Sequence, residues 1–489
     1  MPSRSDDRQM VEFHWNGHPL LGRLGEPIAV ALRRQGIGVI ARSRKLHRPL
    51  GQSGSYIAGV LARVDGRPNV RLDLEPVGQG MRVEAQNVWP SARFDLLKAA
   101  QLLPAKAIYG GFEHADWTPQ GGRGYHLWER LMAHLAGMSP PPLPSLPSEI
   151  RPGRRVQYDT VVVGGGPAGR HAANEAAAHG RKVAVVTRGH ICGRYAAACG
   201  VEQEAIDDRV AVFTGMELFG SYRQGALLVG APHRYDQGAV AFDTQEIVLA
   251  TGRRSIPPLV PGSHVPGVME AQAALVMAHE HGVAPGTAVA VVGSGAQAAI
   301  ATRLTAFGAN IVHVGDVADL TRINGRVHVN SIDVGATVIC DAVVHAGPWH
   351  RDPNLIFQTQ SDGLLQLVST GASGNLRVAG AAEEADEDVV VPANLSDDVL
   401  ICPCMDVTAG ELLMHIDAGE TDPEVLKRLT SCGMGPCQGF PCWDSMIAVL
   451  ASRTGQHPAE FARPSHRAPR RAITVAQAAG LHDVVGPDR

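Results

Sequence analysis

The stretch Tyr158–Gly189, which reads YDTVVVGGGPAGRHAANEAAAHGRKVAVVTRG, decides the fold. An apolar strand runs into the turn Gly164-x-Gly166-x-x-Gly169, and an alanine-rich helix and a second apolar strand follow. Only glycine permits this tight turn together with a close approach of the backbone to a pyrophosphate, and the free N–H groups at the helix start favour an anion. The complete strand–turn–helix–strand order predicts a nucleotide-binding domain built on a parallel α/β sheet.

A second glycine turn lies within Gly286–Asp316, which reads GTAVAVVGSGAQAAIATRLTAFGANIVHVGD. Gly293-x-Gly295-x-x-Ala298 follows an apolar strand and opens a helix, and Asp316 closes the next strand. An acidic residue at that position can bind a ribose 2′-hydroxyl, which favours NAD over NADP. We interpret this segment as a second, NAD-like nucleotide domain. A relic fold without a ligand is the alternative.

The segment between the two turns, EIVLATGRRSIPPLVPG, contains an apolar strand that ends at Thr251 and Gly252. In flavoproteins with two dinucleotide-binding domains, the chain returns at such a point from the first nucleotide domain toward the second. The strand end alone is an ordinary turn. The first motif, the return and the second motif in this order predict the α/β fold with two dinucleotide-binding domains.

Two departures from this pattern concern the first glycine turn. Its second strand ends in Thr187 and Arg188, where an acidic residue usually holds the adenosine ribose. The stretch LRVAGAAEEAD carries Ala381 where flavoproteins of this type usually place an aspartate against the ribityl chain. We therefore predict an adenine nucleotide in the first site, which can be FAD, NAD or ATP, and Arg188 is a candidate contact for its phosphate.

Five of the eight cysteines lie in two short stretches near the C-terminus, ICPCMDV and SCGMGPCQGFPCWDS. The first holds Cys402-x-Cys404, and the second holds Cys437-x4-Cys442. Four thiolates from two loops can form a tetrahedral S4 set around zinc or hold a [2Fe–2S] cluster. These four cysteines are the predicted metal ligands.

The residues around these cysteines favour the cluster over zinc. The spacer between the pairs predicts two short helices, with Thr408 as N-cap and Glu411 at the capping-box position, unlike the spacing of a zinc finger. Gly433, Gly435 and Gly439 suit a loop that wraps cluster sulfurs with backbone N–H groups. Zinc and free thiols remain the alternatives.

The other cysteines carry weaker signals. Cys432 is either a substitute ligand or a small buried residue. Cys192 and Cys199 are seven residues apart, which puts them about 10 Å apart in a helix, too far for a disulfide. We expect both to be small buried residues, and Cys340 to lie in the core.

Composition limits the class of protein. A chain of 489 residues is expected to form roughly two to four domains. The formal net charge of −4 gives no indication of nucleic-acid or anionic-membrane binding. The start of the chain lacks the apolar segment of a signal peptide, and no apolar run reaches the roughly 18 residues of a membrane span. We expect a cytoplasmic, reducing location, in which clustered cysteines bind metal.

These features together resemble the α subunits of heteromeric flavin-dependent amine dehydrogenases and oxidases. That family includes opine, D-hydroxyproline and L-proline dehydrogenases, hydrogen cyanide synthase and sarcosine oxidase. The N-terminal stretches FHWNGHPLLGRLGEPIAVALRRQGIGVIARSRKLHRPLGQSGSYIAG and VEAQNVWPSARFDLL are similar to the ferredoxin-like region of the sarcosine oxidase α subunit. CPCMDVTAGEL and VLKRLTSCGMGPCQGFPC resemble the [2Fe–2S] module of the opine and proline enzymes.

The resemblance implies a division of the chain into seven parts. They are 1–100, a ferredoxin-like domain without cluster ligands; 101–155, a linker; 156–272, the first nucleotide-binding domain; 273–339, the second; 340–398, a return to the first; 399–460, a small helical [2Fe–2S] module; and 461–489, a tail. The N-terminal domain contains no cysteine, so it cannot ligate a cluster. We interpret it as a cap or docking surface.

The resemblance also implies an electron-transfer role in an enzyme acting on CH–NH donors. The amine is then oxidised in a partner β subunit that resembles D-amino-acid oxidase and carries FAD. FMN lies at the interface between the subunits; peripheral contact with the inner membrane and a small ferredoxin-like subunit are left open. No catalytic residue is predicted in this chain, since His14, His47 and His114 are isolated. The alternatives are a self-sufficient NADH-dependent FAD/[2Fe–2S] reductase and a scaffold with structural zinc.

Overall fold

The computed structural model describes most of the chain. The regions it covers are 9–43, 45–54, 60–102, 122–135, 152–222, 226–234, 237–360, 376–466, 468–471, 473–479 and residue 481. Most of the predicted linker, namely 103–121 and 136–151, and the end of the predicted tail, 482–489, lie outside the described residues.

The N-terminal region forms a small mixed sheet with one helix packed on it. Strands in the order β2-β1-β7-β5-β6 make the sheet, in which β1 and β7 run parallel. Its elements are β1 (Met10–Trp15), β2 (His18–Arg23), α1 (Ile28–Arg34), β3 (Ala41–Arg42), β4 (Pro49–Leu50), β5 (Leu61–Val64), β6 (Arg67–Arg71) and β7 (Arg82–Ala85).

Alternation of apolar and polar residues explains this small domain. Val11, Phe13 and Trp15 of β1 are buried on one face, as expected for a strand with one face on the core. They pack with Ile28 and Leu32 of α1. The short β3–β4 pair projects from this domain and pairs Ala41 with Leu50. Farther along the chain, within the predicted linker, residues 122–135 form helix α2 (Gly122–Leu135).

The first nucleotide-binding domain has a sheet in the order β10-β9-β8-β13-β12-β11. The strands β10, β9, β8 and β13 run parallel, and β12 and β11 continue antiparallel from β13. Its elements are β8 (Arg154–Val163), α3 (Pro167–Ala178), β9 (Val183–Val186), α4 (Arg194–Ala198), β10 (Ala211–Phe213), β11 (Met216–Tyr222), β12 (Leu227–Pro232) and β13 (Val240–Leu249).

Buried residues on both faces of β8 mark it as a central parallel strand. Val161 and Val162, which are neighbours in sequence, are both fully buried. Helix α3 begins with Pro167 at a position that tolerates proline, and small buried residues such as Ala172 and Ala173 let it lie close to the sheet. This packing fixes the glycine turn between β8 and α3.

The second nucleotide-binding domain has a parallel sheet in the order β15-β21-β16-β17 and an antiparallel sheet of β18, β19 and β20. Its elements are β14 (Arg253–Ser255), β15 (Val268–Glu270), α5 (Ala271–His281), β16 (Val289–Gly293), α6 (Gln297–Ala306), β17 (Ile311–Asp316), β18 (Arg322–Gly325), β19 (Val329–Asp333), β20 (Thr337–Ile339), β21 (Ala342–Ala346) and β22 (Trp349–Arg351).

The strand pairing corrects the predicted limits of this second domain. Strand β15 precedes residue 273, β21 follows residue 339, and the two strands pair in one sheet. The sheet therefore extends beyond 273–339 on both sides. The return to the first domain occurs later, after helix α7 (Asn354–Gln360), where β23 (Leu376–Val378) pairs with β13.

The C-terminal module contains the helices expected from its spacer. Thr408 caps α8, and its hydroxyl accepts a hydrogen bond from the backbone N–H of Glu411. The elements are β24 (Leu400–Cys402), β25 (Val407–Thr408), α8 (Ala409–Asp417), α9 (Pro423–Thr430) and α10 (Cys442–Thr454). The tail then packs α11 (Val475–Ala479) against the first nucleotide-binding domain, where Gln477 donates to backbone carbonyls of β12 and its following loop. Among the described helices, none is both long and apolar enough to cross a bilayer.

Candidate functional site

The structure brings the four predicted cysteine ligands into one buried cluster. The Sγ atom of Cys404 lies 3.7 Å from that of Cys402 and 3.3 Å from that of Cys437. The Sγ atoms of Cys437 and Cys442 are 3.5 Å apart. Each of these residues is at most 9% exposed. Two loops that are distant in sequence therefore present four sulfurs to a single point.

Glycines and a helix start make this arrangement possible. A Cβ atom at Gly435 would lie 2.5 Å from the Cys404 sulfur, so the backbone can pass this sulfur only without a side chain. The backbone N–H of Gly433, which has a φ of +74°, donates to the Sγ of Cys402 at 3.4 Å. Cys442 is the first residue of α10, where the helix dipole favours a thiolate.

The donor set fits a metal–thiolate centre. In a tetrahedral S4 set with metal–sulfur bonds of about 2.3 Å, neighbouring sulfurs are about 3.8 Å apart, close to the separations found here. A cavity of about 40 Å³ lies directly against Cys404, Cys437 and Cys442 and offers room beside them. The residues present therefore fit a cluster as well as a single ion.

Cys432 lies beside the same cluster. Its side chain is fully buried, and its carbonyl oxygen accepts a hydrogen bond from Nε1 of Trp443 at 2.9 Å. Hydrogen bonds from neighbouring thiols, Cys404 first and then Cys432, lower the pKa of Cys402. The same network raises the pKa of Cys432, chiefly because it hydrogen-bonds Cys402 and is buried.

The N-terminal domain covers the cysteine module. Asp406, which is buried, accepts hydrogen bonds from the backbone N–H groups of Lys45 and Leu46 at 3.0 and 3.1 Å. Leu50 of β4 and Gly51, which follows it, line the cavity beside the cysteines. A domain without any cysteine of its own thus shields the cluster from water.

Each glycine of the first turn has a distinct structural reason. Gly164 has a φ of +107°, and a Cβ atom there would collide with the carbonyl of Ala250. A Cβ atom at Gly169 would collide with the Gly164 carbonyl, so this glycine permits close helix–strand packing. At Gly166 a Cβ atom would meet nothing within 4 Å. Gly166 therefore faces open space, where a pyrophosphate binds in this motif.

Arg170 was not identified from the sequence as part of this turn. Its guanidinium donates to the carbonyl oxygens of Gly165, Glu204 and Cys192 at 2.8–3.3 Å. These are neutral acceptors, so a positive charge stays beside the turn. Cys192 and Cys199 are half-buried instead of fully buried as expected, and burial raises the pKa of both thiols. None of the eight cysteines forms a disulfide, and Cys340 is buried as expected.

The strand end with Thr187 and Arg188 is tied to the C-terminal tail. The carbonyl oxygen of Arg188 accepts a hydrogen bond from His233 Nε2 at 2.8 Å, and His233 Nδ1 accepts one from Arg471 at 3.2 Å. Burial lowers the pKa of His233 to about 4, so this imidazole is neutral at physiological pH. Thr251 is exposed beside Gly252, which has a φ of +69°.

The second turn has an open glycine and an acidic residue already in use. Gly295 has a φ of +103°, and a Cβ atom there would meet nothing within 4 Å, whereas one at Gly293 would collide with the Ala346 carbonyl. Asp316 ends β17 as predicted, but its Oδ1 accepts the backbone N–H of Ala318 at 2.8 Å. One carboxylate oxygen therefore caps the following turn.

Replacing Gly166 by alanine should reduce nucleotide binding without unfolding the protein. The φ of −74° suits alanine, and the new Cβ atom occupies only the space above the turn. We expect nucleotide retention to fall about tenfold or more, since the backbone can no longer approach a phosphate closely. Nucleotide released by acid from purified protein measures this. Gly169→Ala is the contrasting variant, because overpacking should destabilise the folded protein by about 1–3 kcal/mol. Equal nucleotide content in the wild type and in Gly166→Ala would contradict a nucleotide site at this turn.

Two sequence profiles match the chain. Residues 8–88 match the profile described as a 2Fe-2S iron-sulfur cluster binding domain, and residues 158–328 match pyridine nucleotide-disulphide oxidoreductase. The first match contains no cysteine, since the first cysteine of the chain is Cys192. The N-terminal domain therefore shares the fold of such domains without their thiolates, as predicted.

Relatives and a solved structure confirm the resemblance drawn from the sequence. The chain is 23% identical over 587 aligned residues to the alpha subunit of sarcosine oxidase from Rhizobium meliloti, covering 99% of this chain and 59% of that one. It is 34% identical over 93 residues to an opine oxidase subunit of the same species, covering 19% and 20%. It is 37% identical over 67 residues to a hydrogen cyanide synthase subunit of Pseudomonas aeruginosa, covering 14% of each. The chain thus spans less than two thirds of the length of these relatives.

The fold is confirmed by the crystal structure of L-proline dehydrogenase from P. horikoshii. The TM-score is 0.73 at 20% sequence identity, and the match covers 97% of this chain and 98% of that one. The α/β fold with two dinucleotide-binding domains, an N-terminal ferredoxin-like domain and a small C-terminal module is therefore shared with that protein.

Proposed function

We propose that this chain is the electron-transfer α subunit of a hetero-oligomeric, flavin-dependent amine dehydrogenase. The relatives are subunits of sarcosine and opine oxidases, which indicates that substrate oxidation takes place in a partner. The observation that carries the proposal is the buried convergence of Cys402, Cys404, Cys437 and Cys442. No cluster of this kind is needed for nucleotide binding alone.

The four sulfurs would hold a [2Fe–2S] cluster, which accepts single electrons, so that a flavin is required to divide the electron pair taken from an amine. The chain contributes the dry environment around this centre. Its thiolates come from two loops, the Gly433 N–H donates to one sulfur, and Leu50 and Gly51 close the cavity from the N-terminal side. Hydrogen bonds to sulfur and exclusion of solvent are the terms by which a protein sets the potential of such a centre.

The remaining cofactors are assigned by the same proposal. FAD belongs to a β subunit similar to D-amino-acid oxidase, and FMN lies at the interface with it. An adenine nucleotide, whether FAD, NAD or ATP, occupies the first glycine turn, where Gly166 is open and Arg170 keeps its charge. Ala381 offers no carboxylate to a ribityl chain, and the second strand ends in Thr187–Arg188 without an acidic residue. Both features support a nucleotide other than a redox-active FAD. The assembly is expected in the cytoplasm, where a small ferredoxin-like subunit is a candidate further partner.

One observation favours a second candidate, an NADH-dependent reductase. The second turn keeps an open Gly295 and an acidic residue, Asp316, at the end of the next strand. In that case NADH would bind the second domain and reduce a flavin in the first. The capping bond of Asp316 to Ala318 and the absence of an acid at Ala381 weigh against it.

Purified without its partner, the protein should contain iron but should not oxidise NADH. The reason is that amine oxidation and its FAD belong to the β subunit, while the first turn lacks the FAD-directed carboxylates. NADH oxidation with ferricyanide as acceptor measures this, and addition of the co-expressed β subunit should give amine-dependent reduction of the same acceptor. Steady NADH turnover by the isolated chain would instead establish the reductase.

A further inference from the structure

A groove outside both glycine turns and the cysteine cluster lies between the N-terminal domain and the second nucleotide-binding domain. Its walls are the β3–β4 loop, the segment 93–98, and the residues around β18. Its volume is about 620 Å³, within the range of about 300–1,000 Å³ that is usual for small-molecule sites. The proposed function assigns no role to this groove.

Cationic side chains dominate the lining. Two carboxylates, Asp95 and Asp398, face six cations, which are Arg42, Arg48, Arg93, Lys98, Arg322 and Arg326. The guanidinium of Arg42 donates to three backbone carbonyls and to no carboxylate. In the part of the chain that the structure covers, Arg322 and Arg326 have no ion-pair partner. The groove therefore carries more positive than negative charge, although the chain as a whole has a net charge of −4.

A buried histidine is built into the wall. His47 is 1% exposed, and its Nδ1 lies 2.8 Å from Oδ2 of Asp95. Asp95 is itself fixed, because its Oδ1 accepts the backbone N–H groups of Trp89 and Leu97 at 3.0 and 3.1 Å. The other ring nitrogen, Nε2, is buried and has no partner among the described residues. An unpaired buried polar atom is costly, so a small polar partner such as a water is expected at Nε2.

A second histidine repeats the pattern. His264 lines the groove from the second domain, and its Nδ1 is also buried without a partner in the described regions. Burial, followed by the nearby charge of Arg48, lowers its pKa to about 4. Histidines from two separate domains thus lie in the wall of the same cationic groove.

From this lining we propose that the groove binds a phosphate monoester. Phosphate is the anion that arginine forks recognise best, and its oxygens can serve several donors at once. Phe94, which is 60% exposed in the wall, offers a ring face to the rest of the ligand.

FMN and riboflavin form a matched pair of probes, because they share the ring system and differ in the phosphate. Titration of the full-length protein, followed by flavin fluorescence, should show FMN binding at least about tenfold tighter than riboflavin. Phenyl phosphate should compete with FMN, and added salt should weaken binding, since the contacts are ionic. Equal affinity for FMN and riboflavin, or no competition by phenyl phosphate, would overturn the proposal.

Variants locate the site. Arg322→Gln and Arg326→Gln should each weaken FMN about tenfold, while Arg453→Gln, an exposed arginine on α10 paired with Asp417, should have no effect. Gly166→Ala, which blocks the first glycine turn, should also leave FMN affinity unchanged. Unaltered binding in both groove variants, or loss only in Gly166→Ala, would refute this location.

The choice of FMN as probe rests on the proposed function, whereas the phosphate chemistry rests on the groove alone. The two can fail separately. Iron content and amine-dependent electron transfer do not depend on the result with phenyl phosphate. Loss of phenyl phosphate binding in Arg322→Gln would support the site, and unchanged binding in that variant would refute it.

Discussion

Replacing Cys404 by alanine should remove the iron of the proposed cluster, and replacing Cys432 by alanine should leave it in place. The two changes are matched, because each truncates a buried thiol within the same cluster. Cys404 is the expected ligand between Cys402 and Cys437, with sulfur separations of 3.7 and 3.3 Å. Loss of one thiolate from a four-thiolate centre leaves an open coordination position that water reaches.

Iron and acid-labile sulfide per chain, together with the visible spectrum, measure this effect. The Cys404→Ala protein should be colourless, and the Cys432→Ala protein should keep the brown colour of the wild type. Thermal unfolding of both apo and metal-loaded protein separates a folding defect from loss of a ligand. Iron loss in Cys432→Ala with retention in Cys404→Ala would show that Cys432 is the ligand in its place.

Replacing Glu217 by glutamine should destabilise the protein by about 3–5 kcal/mol, the usual cost of breaking a buried ion pair. Arg471 loses its carboxylate, whereas Arg71 and Arg470 keep Asp73 and Asp352. Glu217 is buried in β11 and faces three arginines from two parts of the chain. Its carboxylate lies 3.8 Å from Arg71 of the N-terminal domain, 3.9 Å from Arg470 and 3.4 Å from Arg471 of the tail. Chemical denaturation measures the loss.

The pH dependence of this effect has a definite sign. Burial alone would raise the pKa of Glu217, but Arg471 and the other surrounding arginines outweigh it and hold the pKa well below its usual value. A depressed pKa contributes stability above the unfolded-state value of about 4.3 and loses it as pH falls. The difference between wild type and Glu217→Gln should therefore shrink on acidification.

A surface carboxylate provides the control for Glu217. Asp207 pairs with Arg209 at the surface, and Asp207→Asn should leave unfolding unchanged, because exposed pairs contribute little. If Glu217→Gln behaves like Asp207→Asn, the buried network does not hold the tail and the N-terminal domain onto the first nucleotide-binding domain.

Motifs made of neighbouring residues could be read from the sequence. Both glycine turns lie between strand and helix as expected, and Thr408 caps α8 through Glu411. The second cysteine pair lies in a glycine-containing loop, and Gly435 lets the backbone pass close to the Cys404 sulfur. In these places local spacing determines the geometry.

Features made by residues distant in sequence could not be read in the same way. His47 was interpreted as an isolated histidine, because its partner Asp95 is 48 residues away and only the folded domain brings them together. The contact between Asp406 and the backbone N–H of Lys45 could not be predicted either, because these residues are 361 positions apart. Strand β21 pairs in the parallel sheet of the second domain, but it follows the separate antiparallel strands β18 to β20 in sequence. The apolar residues of β21 therefore did not indicate which of the two sheets it joins.

Metal and sulfide analysis of the complex purified without oxygen, combined with electron paramagnetic resonance after reduction, decides whether this chain carries single electrons. We expect about two iron atoms and two sulfides per chain and the signal of a reduced [2Fe–2S] cluster, which disappears in Cys404→Ala. Zinc in place of iron, or protein without metal that still transfers electrons from the amine, would contradict it.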